Sequence, residues 1–265
     1  MRALVAANWK MHKTLKEAED YLRRLLELVP PDPPVELAVF PSFTALSLAS
    51  EMLSGSPVAL GAQNGHPERE GAFTGEVSMH QLADLGVRYV ICGHSERRRI
   101  FGETDEFVAA KVRAAWAYGI TPILCVGETL EERRAGKAWE VVERQLSAAL
   151  EQGLSGPLVI AYEPVWAIGT GVPAQPKDAQ EMARMIRTWL LERFGERGKA
   201  VRIQYGGSVK PENAGDFLRL PEIQGALVGG ASLDPQSFWR IAQAAIGGKP
   251  SGEDGPLKLQ RWRRG

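Results

Sequence analysis

The sequence predicts an α/β protein built as a single closed (β/α)8 barrel with a parallel sheet. Eight short β-rich runs recur along the 265 residues, and helical patterns separate them. Their average spacing is about 33 residues, the length of one strand-helix unit, and the chain is close to the roughly 250 residues typical of such barrels. A composition of 44% hydrophobic and 24% charged residues allows one large core.

The predicted strands are continuous apolar runs rather than alternating ones. Continuous runs are typical of parallel strands that are covered by helices. The runs are 4–7, 35–40, 58–62, 89–92, 122–126, 158–162, 201–205 and 226–228.

Helices are predicted between these strands and after the last one. In the first, apolar residues recur at helical spacing from Ala18 to Val29, with Thr14 as a candidate N-cap and Pro30 as a stop. Another is expected to begin at Ser95. The remaining predicted helices are 105–118, ended by Gly119, and 131–152, 178–194, 211–220 and 235–246.

An open, doubly wound sheet is the alternative arrangement. Such a sheet normally has a glycine-rich phosphate fingerprint after its first strand, whereas Asn8, Trp9 and Lys10 follow the first strand here. No Gly/Ser linker interrupts the chain before residue 247. We therefore expect one catalytic domain over 1–246 and a basic C-terminal tail, containing Gly and Pro, over 247–265. The tail could stack on nucleic acid or touch lipid, but an accessory segment, packed or disordered, is the expectation.

Charge and cysteine content exclude several classes of partner and site. Thirty-two basic residues balance 32 acidic ones, so no nucleic-acid or membrane partner is expected. The two cysteines, Cys92 and Cys125, lie in apolar runs, which indicates buried packing rather than disulfides or a zinc cluster. No signal peptide and no apolar stretch of about 18 residues is found. We expect a cytoplasmic protein.

Polar residues cluster just after three of the predicted strands. Asn8 and Lys10 follow the first strand, His94 and Ser95 the fourth, and Glu163 the sixth. Each alone could be a structural or surface residue. Catalytic groups of this barrel lie at the carboxyl ends of the strands, so together they indicate one active site.

Glycine-rich turns follow strands six, seven and eight, at 168–171, 205–208 and 227–230. Glycine lets backbone N–H groups approach an anion closely, and the last two turns are the usual phosphate site of this barrel. The alternative is ordinary tight turns. Neither a Walker loop nor metal-ligand spacing is present, so we expect a reaction without metal or cofactor.

Five ordered motifs carry a resemblance to a known family. They are 8–11 (NWKM), 71–76 (GAFTGE), 93–98 (GHSERR), 161–171 (AYEPVWAIGTG) and 205–209 (YGGSV). Together they resemble the triosephosphate isomerases, over roughly residues 3–246. The resemblance implies a TIM barrel that interconverts dihydroxyacetone phosphate and D-glyceraldehyde 3-phosphate through an enediolate, in glycolysis and gluconeogenesis, without a cofactor.

The resemblance also implies roles for individual residues. Glu163 would be the base, its pKa raised toward the operating pH by exclusion of water, and His94 a neutral imidazole that polarises the carbonyl. Lys10 would stabilise negative charge, with Ser95 and Glu96 in support. The implied substrate-binding residues are Asn8, Lys10, Gly169, Ser208, Gly229 and Gly230. The implied closing lid comprises Pro164, Val165, Trp166, Ala167, Ile168, Gly169, Thr170 and Gly171.

A long connection at 63–76 carries Phe73 and Thr74 at its tip. By resemblance it inserts near Asn8 and Lys10 of a second subunit, which implies a homodimer; a surface loop folded on its own chain is the alternative. One departure from the family is Val172, at a position where Lys is frequent. Pro173 follows it and fixes φ, so the departure is expected to affect the rate at which the lid opens and closes.

Two other functions are alternatives to this one. A sugar-phosphate epimerase would share the phosphate site but gives no reason for a lysine, a histidine and a glutamate together. A catalytically silent scaffold or nucleic-acid-binding protein would use the basic tail, but the candidate catalytic groups are all present. The isomerase remains the expected function.

Overall fold

In the computed structural model, which describes residues 1–168 and 174–246, eight parallel strands pair in chain order and close into a barrel. The eighth strand pairs with the first, so the open sheet is excluded. Each predicted strand is present with its bounds within one residue. The strands are β1 (Leu4–Asn8), β2 (Glu36–Phe40), β3 (Val58–Ala62), β4 (Tyr89–Cys92), β5 (Thr121–Val126), β6 (Val159–Tyr162), β7 (Arg202–Tyr205) and β8 (Gly225–Val228).

The strands are buried on both faces, which explains their continuous apolar runs. Leu4 and Ala6 of β1 belong to the core inside the barrel, whereas Val5 and Ala7 belong to the core between strands and helices. The inside is tightly filled. A Cβ on Gly61 would lie 2.3 Å from the Phe40 ring, so this position has room for hydrogen alone.

Ten α-helices lie outside the strands in the described ranges. They are α1 (Leu15–Leu28), α2 (Leu46–Leu53), α3 (Met79–Asp84), α4 (Ser95–Ile100), α5 (Asp105–Ala117), α6 (Leu130–Arg134), α7 (Ala138–Ala149), α8 (Pro176–Lys199), α9 (Ala214–Leu218) and α10 (Pro235–Ala244). None of these helices combines the length and apolar character needed to span a bilayer.

Several helix ends agree with the predicted signals. Thr14 caps α1 in a reciprocal capping box with Glu17, and α4 begins at Ser95. Gly119, two residues beyond α5, has a φ of 69°, the left-handed conformation that glycine adopts readily.

The predicted helix 131–152 is wrong, because α6 and α7 divide it. Gly136 between them has a φ of 72°, which stops the helix. The predicted helix 211–220 is reduced to α9. Helix 178–194 is instead α8, which begins at Pro176 and continues past a non-helical Gly195. The short helices α2 and α3 were not predicted, since so few residues give no clear periodicity.

Candidate active site

The carboxyl ends of the strands surround one cavity of about 610 Å³. The structure brings seven of the predicted site residues to its lining, together with the last described residue of the proposed lid. They are Asn8, Lys10, His94, Glu163, Ser208, Gly229 and Gly230, with Ile168 from the lid. Gly169, Thr170 and Gly171 lie outside the described residues, as does the proposed tail 247–265.

Glu163 is almost completely buried and makes three polar contacts. Its Oε1 lies 2.9 Å from Nε2 of His94, and its Oε2 accepts a hydrogen bond from the backbone N–H of Ser95 at 2.9 Å. The Ser95 hydroxyl donates to Oε1 at 3.3 Å. The predicted base and the predicted imidazole therefore lie side by side, and Ser95 aligns the carboxylate.

Glu163 keeps this position because its neighbours lack side chains. A Cβ on Gly127 would lie 1.7 Å from the backbone oxygen of Glu163, and a Cβ on Gly206 would lie 2.9 Å from its Cγ. Glycines on the adjacent strand ends thus allow the close backbone approach.

The tautomer of His94 follows from its second nitrogen. Nδ1 accepts a hydrogen bond from the backbone N–H of Glu96 at 3.2 Å. In the neutral ring, the single proton is therefore on Nε2, the nitrogen that faces Glu163 and the cavity.

The pKa values of this pair differ from the simple expectation. Burial raises the pKa of Glu163, but His94 and the N–H of Ser95 outweigh burial, so this pKa lies below its ordinary value. Burial lowers the pKa of His94, but the adjacent Glu163 carboxylate outweighs it, so this pKa lies above its ordinary value. The expected rise for Glu163 counted burial without these neighbours.

Lys10 adopts a backbone conformation that is rare for a residue with a side chain. Its φ is 54°, and its N–H donates to Oδ1 of Asn8 at 3.0 Å. Its Nζ lies 2.7 Å from Oε1 of Glu96, and its stem passes Gly229, where a Cβ would be 3.4 Å from Cε. The ammonium is thereby held beside both His94 and the glycine turn after β8.

Gln63 supports Lys10 and was missed by the sequence reasoning. Its Nε2 donates to the backbone oxygens of Lys10 at 2.8 Å and Phe40 at 3.0 Å. Gln63 directly follows β3, so the strand-end rule that selected Glu163 would also have selected it.

The first residues of the proposed lid are anchored by a buried carboxylate, Glu128. Val165–Ala167 form a 3₁₀ helix, and the indole N–H of Trp166 donates to Oε1 of Glu128 at 2.9 Å. The Tyr162 hydroxyl lies 3.1 Å from the same oxygen. Sequence reasoning missed Glu128, although it lies two residues after β5.

Arg133 completes this anchor. Its guanidinium lies 4.5 Å from the centre of the Trp166 ring, 3.3 Å from Glu128 and 2.7 Å from Asp178, with Asp178 in the first turn of α8. Arg133 therefore connects Trp166, near the start of the proposed lid, to Asp178 of α8, which follows the lid in the sequence. Nothing in its spacing along the sequence indicated this contact.

Phe73 and Thr74 do not line the cavity. The Phe73 ring packs against His66 of its own chain, at 4.2 Å between ring centres, and keeps 42% of its surface exposed.

Within the described ranges, no group of three or more His, Cys, Asp or Glu side chains is arranged to hold a metal ion.

Comparison with known proteins agrees with the motifs. The family model described as triosephosphate isomerase matches residues 3–245. A triosephosphate isomerase of Symbiobacterium thermophilum is 57% identical over 247 residues, covering 91% of this chain and 96% of the relative. Relatives of the same name from Aquifex aeolicus and Thermus thermophilus are 51% and 53% identical, and cover 91% and 92% of this chain and 98% and 99% of their own. The chain belongs to the triosephosphate isomerase family.

Proposed function

We propose that Glu163, His94 and Lys10 carry out the isomerisation of this family, the interconversion of dihydroxyacetone phosphate and D-glyceraldehyde 3-phosphate. The reaction is a step of glycolysis and gluconeogenesis and makes the chain an intramolecular aldose-ketose isomerase. The observation that carries the assignment is the buried contact of 2.9 Å between Glu163 and Nε2 of His94, at a cavity that Lys10 also lines.

Glu163 takes a proton from the carbon next to the substrate carbonyl. The electron pair of that C–H bond becomes the carbon-carbon double bond of the enediolate, and the carbonyl oxygen gains the negative charge. Substrate that enters between Glu163 and His94 removes the His94 contact, the largest of the effects that lower the pKa of Glu163, while burial remains. The carboxylate therefore becomes more basic as substrate binds. Glu163 then returns the proton to the neighbouring carbon.

His94 donates its Nε2 proton to the developing oxyanion. It then takes the proton of the hydroxyl on the neighbouring carbon, so that the ring is neutral again and that oxygen becomes the product carbonyl. Its Nδ1 is already used by the Glu96 N–H, so the ring acts as a neutral donor at one nitrogen. Once Glu163 no longer contacts it, His94 loses the neighbour that raises its pKa, while its burial and Lys10 still lower that pKa. Lys10 adds a positive charge beside the same oxygen, with Asn8 fixing its backbone.

The phosphate of the substrate binds the glycine turns that follow β7 and β8. Ser208, Gly229 and Gly230 line the cavity, and glycine lets backbone N–H groups approach an anion closely. We assign Gly169 to the same site by family likeness, and 164–171 as a lid that closes over the enediolate and keeps it from expelling its phosphate.

The proposal includes a homodimer formed through the loop that carries Phe73 and Thr74. Met11 and Phe101 expose 94% and 65% of their surfaces, and both line a second cavity of about 270 Å³ that also reaches Lys10 and Glu96. Such exposed apolar side chains around a hollow suit the exposed Phe73 of another copy. Phe73→Asp should shift the sedimentation coefficient from dimer to monomer. A wild-type protein that sediments as a fully active monomer would contradict the dimer.

We place the catalytic domain at 1–246 and the enzyme in the cytoplasm. Both cysteines are buried free thiols, and burial raises the pKa of Cys92 to about 12, so neither is suited to disulfide chemistry. This pattern fits a reducing compartment.

The decisive experiment follows the proton. Purified protein in deuterium oxide, without added metal or nucleotide, should convert glyceraldehyde 3-phosphate to dihydroxyacetone phosphate. Part of the product should carry deuterium at the carbon that received the proton, because the proton held by Glu163 can exchange with solvent before it is transferred back. Conversion without exchange at that carbon, or no conversion, would contradict the assignment.

A further inference from the structure

Lys13 is strained in the same way as Lys10, although it does not line the cavity. Among the described residues other than glycine, these two have positive φ, and that of Lys13 is 75°. A side chain with a Cβ disfavours this conformation, and such strain persists where surrounding contacts hold it. The contacts of the Lys13 side chain therefore indicate which interactions hold its backbone in this conformation.

Three groups hold the Lys13 side chain. Its Nζ donates to the backbone oxygen of Leu233 at 2.9 Å. The same atom lies 4.8 Å from the centre of the Tyr21 ring and 5.4 Å from that of Trp9, both within cation–π range. Burial lowers the pKa of Lys13, against smaller opposing effects of Glu17 and Asp234.

Tyr21 contacts the neighbouring carbonyl of the same segment. Its buried hydroxyl donates to the backbone oxygen of Ser232 at 2.7 Å. Ser232 in turn donates from Oγ to the backbone oxygens of Gly229, at 2.7 Å, and Val228, at 3.1 Å. A continuous set of hydrogen bonds thus leads from Tyr21 to the turn after β8.

The two anchored carbonyls belong to one short element, the 3₁₀ helix Gly230–Leu233. Its first residue and Gly229 line the candidate active-site cavity, while its last two residues are fixed by α1 and by the loop before it. Trp9, which packs edge-on against Tyr21 at 4.7 Å, directly precedes Lys10. The Trp9–Tyr21 pair therefore links the residues that hold the Gly229–Gly230 turn to the residue that precedes Lys10.

We propose that Lys13 and Tyr21 are positioning residues, which hold the Gly229–Gly230 turn where its N–H groups bind the substrate phosphate. This inference rests on the proposed function, since it assumes that the phosphate binds this turn. Neither side chain needs to touch the substrate. Their effect is to keep the two N–H groups from shifting, because small displacements of preorganised donors weaken binding strongly.

Lys13 also offers a test against a merely local role. If it were only a linker before α1, Lys13→Gly would relieve the strain of its positive φ and leave phosphate binding unchanged. If it is an anchor, Lys13→Gly and Lys13→Met should both weaken phosphate binding, although the glycine relieves the strain and the methionine retains it.

The experiment measures the Kd of inorganic phosphate and the kcat/KM of two substrates for wild type, Lys13→Met, Lys13→Gly and Tyr21→Phe. We expect each variant to raise the Kd about threefold to tenfold, the size of one lost hydrogen bond. The kcat/KM of glyceraldehyde 3-phosphate should fall in parallel, mainly through KM. That of D-glyceraldehyde, which has no phosphate, should stay at the wild-type value.

Lys16→Met removes an exposed lysine of α1 and serves as the matched control, with wild-type Kd expected. Variants that bind phosphate like wild type would overturn the inference, as would equal losses with both substrates. Tyr21→Phe removes a single oxygen and keeps the ring, so it tests the same idea if a Lys13 variant folds poorly. Failure of the wild type itself to bind phosphate or isomerise the substrate would instead overturn the proposed function.

Discussion

Replacing Glu163 by Gln tests the proposed base with little change of shape. The carboxylate accepts from His94 and from the N–H and hydroxyl of Ser95. An amide has one acceptor oxygen, and its nitrogen can only donate. His94 cannot adapt by accepting at Nε2, because moving its proton to Nδ1 would oppose the Glu96 N–H. One donor must therefore face another donor in the variant.

These contacts set the expected magnitudes. The mismatched donor costs about 1–3 kcal/mol of unfolding free energy, which leaves the barrel folded. Loss of a general base lowers kcat by about 10²–10⁴. The KM should change little, because the proposal assigns phosphate binding to the glycine turns and proton transfer to Glu163.

The assay compares kcat/KM of wild type, Glu163→Gln and the control Glu27→Gln, which changes an exposed glutamate of α1, across pH. Because the pKa of Glu163 is lowered, this group should limit the free wild-type enzyme only below its ordinary value of 4.5. The residual rate of Glu163→Gln should lack that inflection. A folded Glu163→Gln protein that keeps more than about a tenth of the wild-type kcat would refute the role of base.

Three further outcomes are expected. Arg133→Met removes the cation beside buried Glu128 and should lower the free energy of unfolding, measured by urea titration, by about 1–3 kcal/mol. The control Arg134→Met changes a neighbouring exposed residue and should stay near wild type. Equal effects of the two variants would contradict the role of Arg133 as an anchor. Burial raises the pKa of Glu103, but Lys111 and Arg97 outweigh burial and lower it, so its stabilisation is present above the unfolded pKa and is lost as pH falls through the folded one. Glu103→Gln should therefore destabilise the protein at pH near 7, and the difference from wild type should shrink well below pH 4.5; a constant difference would refute this account. A chain ending at Ile246 should keep wild-type kcat and KM, and a loss of turnover would give the tail 247–265 a part in catalysis.

The strands could be predicted because strands that are buried on both faces consist of consecutive apolar residues. Most of the eight runs are apolar on both faces; the exceptions are Glu36 in β2 and Arg202 and Gln204 in β7. The rule that chemistry lies at the carboxyl ends of the strands then located Asn8, His94 and Glu163 in one cavity. The division of the helix at Gly136 was missed because an isolated glycine inside an apolar pattern does not reveal its φ.

The supporting contacts could not be predicted, because they join residues far apart in the chain. Gln63 binds the backbone of Lys10, and Tyr21 binds that of Ser232, across 53 and 211 positions. Spacing along the sequence contains no signal for such pairs. The lowered pKa of Glu163 was missed for the same reason, since it depends on Ser95 and His94 being within hydrogen-bond distance.

The closeness of Gly127 to the backbone of Glu163 affects how this protein can mutate. A single methyl group at position 127 would collide with the carbonyl of the proposed base and push it off its place beside the imidazole. In a survey of random variants, Gly127 should be as intolerant of substitution as the residues proposed to transfer the proton, although it takes no part in the chemistry. Intolerance to substitution therefore does not by itself distinguish the residues that take part in the reaction from a glycine whose missing side chain allows them to approach each other.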